Sequence, residues 1–323
     1  MFQPTQQLLL LLTAAALASP TPTPNSWGTG PTPNSWGTGP LPTNYTSFKV
    51  SQMDTTDQWI DVYYPTPTNS TNRTYPLLSY AHGLAGGGPI DSIAYQPILE
   101  SMASYGFILI FTRACNIGCA DKCTTLPDDP FCFGHFYYEQ LKQIEWAKNS
   151  SINVNTPGHS IMKKINHKVG YGVVGHSMGG QATLFSSSYK NATANNIKAA
   201  VMQHAYTHQY PSPTIPFLAF TGALDDVAPP SMTHDFFDAA AASGQAPNRA
   251  LVNKKYATHL EPINWEAYAN VGKFSAAWFK LHLELVNEQD GINYELLIYG
   301  NGTDSLCGGG DGLMVDCTVT PRQ

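Results

Sequence analysis

Residues 169–185 read VGYGVVGHSMGGQATLF, and this stretch decides the fold. The run GYGVV has the composition of a strand buried on both faces, and MGGQATLF has the composition of the helix that follows it. Between them lies a G-x-S-x-G motif at 175–179, and no other serine of the chain has glycine two residues away on each side. A strand, a sharp turn and a helix in this order present the serine hydroxyl above the end of a sheet. We therefore predict that Ser177 is a nucleophile and not a surface serine in a glycine-rich turn.

A serine hydroxyl attacks a carbonyl only when a base removes its proton, and in this fold the order along the chain is serine, acid, histidine. Two acids, Asp225 and Asp226, follow an apolar strand in FLAFTGALDDVAP, and His259 follows the next strand in KKYATHLEP. The residues alone leave the choice between the two acids open. His259 is the predicted base because the other candidates precede Ser177, precede the acid or lie in a predicted helix: His82, His176, His204, His208 and His234.

Backbone N–H groups must also face the oxygen that becomes negative during attack on a carbonyl. One donor is predicted at Met178, directly after the nucleophile and at a helix N-terminus. The second is predicted at Leu84, because 82–88 reads HGLAGGG and is similar to the glycine-rich loop that supplies this donor after an early strand.

Apolar runs alternate with helix-length amphipathic segments along the rest of the chain. The spacing predicts strands at 77–81, 107–111, 169–174, 199–203, 215–220 and 251–256, and helices at 91–104, 136–148, 178–189, 231–242 and 261–282. This alternation predicts an α/β fold with a mostly parallel, doubly wound sheet, helices on both faces, and the chemistry beyond the carboxyl ends of the strands.

Composition excludes some classes of protein. Hydrophobic residues make up 42% of the 323 residues and charged residues only 12%, with a formal net charge of −6. Nucleic-acid binding needs clustered Lys and Arg, so no nucleic-acid partner is expected. Neither a P-loop nor a dinucleotide-binding glycine motif is present, and we expect no cofactor and no metal.

The segment from about Phe48 to Leu283 resembles bacterial cutinases and polyester hydrolases of the α/β-hydrolase superfamily, and also the chlorophyllase and dienelactone-hydrolase group. The similar stretches are HGLAGG, GHSMGG, LDDVAP and ATHLEP. The resemblance implies an ester hydrolase whose acid falls on Asp225 and whose base falls on His259. Secreted platelet-activating-factor acetylhydrolases share the GHSxGG turn, so this motif does not choose among esters.

Two residues and one segment depart from the polyester-hydrolase pattern. Leu84 stands where those enzymes usually have an aromatic residue, and Tyr206 is the nearest match to their substrate-binding Trp. Both residues are predicted to bind substrate. The segment from Cys115 to Cys132 is similar to nothing in the bacterial enzymes and has the character of an insertion.

The first 45 residues predict export. An apolar run at 8–17 that ends in small residues is typical of a signal peptide, so cleavage is expected near Ala18. Residues 19–45 contain the nonapeptide PTPNSWGTG twice and are predicted to be a disordered linker. The catalytic domain is expected at 46–300 and a glycine-rich tail at 301–323, in a secreted monomer without a membrane anchor. Glycan acceptor sequences begin at Asn44, Asn69, Asn72, Asn149, Asn191 and Asn301.

Six cysteines in an exported protein are typical of disulfides. We predict a bond between Cys307 and Cys317 and two bonds among Cys115, Cys119, Cys123 and Cys132. A zinc site in this cluster is the alternative, but the C-x₂-C pairs usual for zinc are absent.

The sequence as a whole predicts a secreted serine esterase that acts on a small ester or on a polymer surface. A lipid or pigment esterase and a peptidase are the alternatives within enzymes. An inactive binding protein with this fold is the alternative from another class.

Overall fold

In the computed structural model, the described residues are 39–50, 59–66, 73–88, 91–116, 119, 135–208, 210–246, 248–264, 268–283, 290–308 and 314–321. The predicted signal peptide, most of the predicted linker, Cys123 and Cys132 lie outside these ranges. Among the described residues, no helix is long and apolar enough to cross a membrane.

The described strands form one nine-stranded sheet with the order β1-β2-β4-β3-β5-β6-β7-β8-β9. The strands are β1 Thr43–Lys49, β2 Trp59–Pro65, β3 Leu77–Ala81, β4 Ile108–Thr112, β5 Tyr171–His176, β6 Ile197–Gln203, β7 Phe217–Gly222, β8 Arg249–Lys254 and β9 Met314–Val319. The central strands β4, β3, β5, β6, β7 and β8 pair in parallel with one another, and the outer pairs β1–β2, β2–β4 and β8–β9 are antiparallel. The predicted mostly parallel sheet is confirmed.

The helices cover both faces of the sheet. They are α1 Gln96–Ser104, α2 Phe136–Ile152, α3 His159–Met162, α4 Met178–Ser186, α5 Tyr189–Ala194, α6 Pro230–Ser243, α7 Tyr268–His282 and α8 Tyr294–Tyr299. Side chains of α1, α7 and α8 pack in one apolar core, and side chains of α2, α3, α4, α5 and α6 pack in a second. Because both faces are buried, the central strands read as continuous apolar runs such as ILIFT in β4.

Two predicted helices differ from the structure. The helix expected at 178–189 ends at Ser186, and α5 begins three residues later. The hydroxyls of Ser187 and Ser188 bond back to carbonyls of the preceding turn, which competes with continuation of a helix. The helix expected from Glu261 is instead a short 3₁₀ turn, Glu261–Ile263, after which Asn264 has an extended backbone; α7 begins at Tyr268.

The sheet extends past the segment that sequence reasoning gave to the folded domain. Strand β1 begins at Thr43, and β9 lies within the glycine-rich tail. Strand β9 pairs with β8, and Cys317 within it is bonded to Cys307. The pairing joins segments distant in sequence, so no local pattern in the tail reveals it.

Candidate active site

Ser177 lies in the turn between β5 and α4, at the carboxyl end of the sheet. Its backbone has φ 58° and ψ −122°, a conformation that costs a residue with a side chain about 1–3 kcal/mol. Two glycines make this turn sterically feasible. A Cβ on Gly175 would overlap the carbonyl oxygen of Gly179, and a Cβ on Gly179 would overlap that of Ala81. The G-x-S-x-G spacing therefore follows from close backbone packing around Ser177.

The loops after β7 and β8 bring an acid and a histidine to this serine. The Nε2 atom of His259 lies 2.8 Å from Oγ of Ser177, and its Nδ1 atom lies 2.9 Å from Oδ2 of Asp225. A carboxylate only accepts hydrogen bonds, so Nδ1 of His259 carries the proton and the lone pair of Nε2 faces the serine. Asp225 is buried, whereas Asp226 is exposed.

The carboxylate of Asp225 is held in one orientation. Its Oδ1 atom accepts hydrogen bonds from the backbone N–H groups of Val227, at 3.0 Å, and Ala228, at 2.7 Å. Burial would raise the pKa of Asp225, but hydrogen bonds from His204 and His259 outweigh it and hold the pKa well below its usual range. The acid is therefore ionised at any pH at which the protein is expected to work.

Burial lowers the pKa of His259, and the attraction of Asp225 only partly offsets this. His259 is therefore neutral, and able to accept a proton, at pH values somewhat below its ordinary pKa of 6.5.

His204 and Glu261 adjoin this group, although sequence reasoning set His204 aside as a base and did not single out Glu261. The Nδ1 atom of His204 lies 2.9 Å from Oδ2 of Asp225, and its Nε2 atom lies 3.1 Å from Oε2 of Glu261. Oε1 of Glu261 in turn accepts a hydrogen bond of 2.8 Å from Nζ of Lys254. The position of His204 in the sequence could have indicated its place in the site, because His204 directly follows β6 at the same carboxyl edge of the sheet.

The ligand atoms of His204, Asp225 and His259 lie within 4.8 Å of one another, which is close enough for one metal ion. Both imidazole Nδ1 atoms are hydrogen-bonded to the same carboxylate oxygen, so hydrogen bonds account for this arrangement.

The two predicted oxyanion donors belong to elements that meet at Ser177. Met178 is the first residue of α4, where backbone N–H groups have no partner within the helix. Leu84 lies in the loop 82–88, and a Cβ built on its neighbour Gly83 would come within 3.2 Å of Cβ of Ser177. The placement suits donation to an oxygen beside Ser177.

Hydrogen bonds tie the loop 82–88 to the base. The N–H of Gly83 donates to the hydroxyl of Tyr95 at 2.7 Å, and this hydroxyl lies 2.8 Å from Nδ1 of His176. Nε2 of His176 lies 2.7 Å from the carbonyl oxygen of His259. A carbonyl only accepts, so Nε2 of His176 donates and Nδ1 accepts from Tyr95. Burial and the neighbouring histidines lower the pKa of His176 well below its ordinary value, in agreement with this neutral form.

The residues predicted to bind substrate share one apolar surface. Leu84 and Tyr206 both pack, partly exposed, against a cluster that contains Met178 and the bonded pair Cys115–Cys119. The backbone N–H of Tyr206 also donates to the carbonyl of Ser177 at 3.0 Å. The disulfide removes two thiolates from the zinc alternative for the cysteine cluster.

Similarity to known proteins identifies the family of the chain. No curated protein matches the chain. A family model described as PETase, PET hydrolase-like, matches residues 23–291. The match covers more than half of the chain and includes every residue of the site described above. The chain therefore belongs to the PET hydrolase-like family and is a carboxylic ester hydrolase with an α/β-hydrolase fold.

Proposed function

We propose that this protein cleaves carboxylic esters by two-step acyl transfer, with Ser177 as nucleophile, His259 as general base and Asp225 as the acid that orients it. The observation that carries the proposal is the continuous line of hydrogen bonds from Oγ of Ser177, through both nitrogens of His259, to Oδ2 of Asp225.

In the first step Oγ of Ser177 attacks the ester carbonyl carbon while its proton passes to Nε2 of His259. The carbonyl oxygen becomes negative and accepts hydrogen bonds from the N–H groups of Met178 and Leu84. The imidazolium of His259 then protonates the leaving alcohol as the carbon–oxygen bond breaks. In the second step water attacks the carbonyl carbon of the acyl-enzyme and loses a proton to His259. His259 gives this proton to Oγ of Ser177 as the bond between Oγ and the acyl carbon breaks, which leaves the carboxylic acid and the free serine.

The partly exposed side chains of Leu84 and Tyr206, which pack against the buried Met178, suit an uncharged acyl or aryl group beside the reacting carbonyl. We infer a cutinase- or polyesterase-like range of substrates, and a panel of short p-nitrophenyl esters, triglycerides, chlorophyll and polyester films distinguishes this range from a lipid or pigment esterase.

A fluorophosphonate probe tests the nucleophile because it reacts only with an activated serine. Wild-type protein is expected to be labelled at Ser177 and to lose ester turnover in proportion to labelling. A Ser177→Ala variant is expected to show neither. Ser160→Ala, at an exposed serine of α3, is the matched control and should keep both. Turnover that survives Ser177→Ala would overturn the mechanism, and a wild-type protein that neither reacts with the probe nor hydrolyses any ester would indicate a binding protein.

We further propose that the protein is a secreted monomer whose residues 1–18 are removed. Disulfides are typical of oxidising compartments, and two occur among the described residues. N-terminal sequencing of the protein from culture medium, together with its sedimentation coefficient, tests both parts of this proposal.

A further inference from the structure

A group of four charged side chains lies buried beside the proposed base. The group, here called the buried charge cluster, consists of Lys254, Glu261, His204 and Asp225, whose exposed fractions are 3%, 4%, 0% and 2%. Burial of charges is unfavourable unless each is paired and hydrogen-bonded. The four side chains alternate in sign along one line of hydrogen bonds, so each charge has an opposite neighbour.

The partners of His204 fix its protonation state. Both of its ring nitrogens face carboxylate oxygens, which only accept, so both nitrogens must carry protons and the ring is a cation. Burial alone would lower the pKa of His204, but the hydrogen bonds and charges of Asp225 and Glu261 outweigh it and raise the pKa. Burial would likewise raise the pKa of Glu261, yet Lys254 and His204 lower it.

The backbone at His204 is also unusual. Its φ of 48° lies in the left-handed region, which is uncommon for residues other than Gly, although Asn, Asp and His adopt it more often than the rest. His204 adopts this conformation directly after the last residue of β6, Gln203.

We propose that His204 is a positioning residue of the ester hydrolase: a buried imidazolium, kept charged by Glu261, that anchors the Asp225 carboxylate opposite His259. This inference rests on the proposed function of Ser177, Asp225 and His259.

The anchor has an electrostatic consequence for the base. The rings of His204 and His259 are 6.2 Å apart, and the cation on His204 opposes protonation of His259. The other ionisable groups that face His204 are Asp225, Glu261 with its partner Lys254, and the neutral ring of His176 at 6.5 Å. His204 therefore keeps the base neutral in mildly acidic solution. Ester hydrolysis releases a carboxylic acid, which lowers the pH. A base that stays neutral at this lower pH allows turnover to continue as the product accumulates.

Two substitutions separate charge from packing. In Glu261→Gln, the side-chain oxygen can still accept from Lys254 and the amide can donate to Nε2 of a neutral His204, so the hydrogen bonds remain while the charge on His204 is lost. In His204→Asn, an amide that tolerates the left-handed backbone keeps one bond to Asp225 and removes the cation. For both variants we expect the acid limb of the kcat profile to move upward by about 1 pH unit, with KM little changed.

Turnover of p-nitrophenyl butyrate is measured from pH 4 to 9 at the wavelength where p-nitrophenol and p-nitrophenolate absorb equally. The matched controls alter a histidine–carboxylate pair and a lysine–carboxylate pair that lie away from the site. His234→Gln changes a histidine that lies 3.6 Å from Asp316, and Glu139→Gln changes a carboxylate that lies 3.0 Å from Lys142. The controls should leave the acid limb in place.

An unchanged acid limb in Glu261→Gln, together with a lowered Tm, would show that the cluster is only structural and would overturn the inference. If neither variant folds, ¹⁵N NMR of histidine-labelled wild-type protein decides. One ring should stay protonated at both nitrogens as the pH rises past the ordinary histidine pKa of 6.5, and a protein in which every ring is neutral there contradicts the inference. An error in the proposed function would give a different result, because ester turnover would then persist in Ser177→Ala.

Discussion

The most direct test of the proposed mechanism is the substitution Asp225→Asn. The carboxylate accepts four hydrogen bonds, two from the backbone N–H groups of Val227 and Ala228 and two from the Nδ1 atoms of His204 and His259. An asparagine offers one oxygen and one NH₂ group. When the oxygen remains on the two backbone N–H groups, the NH₂ group faces both imidazoles.

Facing a donor, His259 must turn its Nδ1 into an acceptor, so its proton moves to Nε2. That nitrogen can no longer take the proton of Ser177. The same change of tautomer in a serine protease lowers kcat about 10⁴-fold, which corresponds to roughly 5 kcal/mol of lost transition-state stabilisation. We expect a loss of this size here.

The assay is kcat on a soluble p-nitrophenyl ester, with the rate of fluorophosphonate labelling as a second measure and Tm as a check of folding. Asp226→Asn is the matched control, because Asp226 is the adjacent, exposed carboxylate. A variant at Asp225 that keeps activity within about tenfold of wild type, or an inactive variant at Asp226, would refute the assignment.

Further predictions concern the turn, the loop 82–88 and the tail. In Gly179→Ala, the new Cβ would overlap the carbonyl oxygen of Ala81 at the end of β3, so the free energy of unfolding should fall by about 1–3 kcal/mol and most esterase activity should be lost. The control is Gly302→Ala, where the space around the new Cβ is open and the urea unfolding curve should change little. Burial lowers the pKa of His82 to about 4, so its stabilising contribution is complete above the ordinary pKa of 6.5 and decreases as the pH falls toward 4. This loss should reach about 3 kcal/mol and be absent in His82→Gln. Replacing both cysteines of the Cys307–Cys317 bond by serine should lower the free energy of unfolding by about 3 kcal/mol, measured by urea titration.

The local sequence was sufficient for the central part of the fold. Strands such as β3 and β7 are buried at every position and mostly apolar because both of their faces are covered, and this composition is visible without tertiary information. The turn at Ser177 was equally visible, since its backbone requires glycine at fixed spacing. The order of the loops after β5, β7 and β8 then indicated His259 as the base and left Asp225 and Asp226 as the two possible acids. The choice of Asp225 came from the resemblance to polyester hydrolases.

Long-range pairing was beyond the reach of the sequence. Strand β9 acquires its structure from β8 and from the bond to Cys307, and the glycines that precede it are typical of a tail. A strand at the edge of a sheet needs no continuous apolar run, so its pattern is weak.

The charged surroundings of the base were decided by the tertiary structure alone. His204 and Glu261 lie 57 residues apart in sequence, and nothing local shows that a histidine at the end of β6 meets a glutamate after β8. The sequence predicted the turn at Ser177 because backbone geometry restricts residue type locally. Only the packed structure determined the charge states around it, because burial and partners, not residue type, set the pKa of an ionisable group.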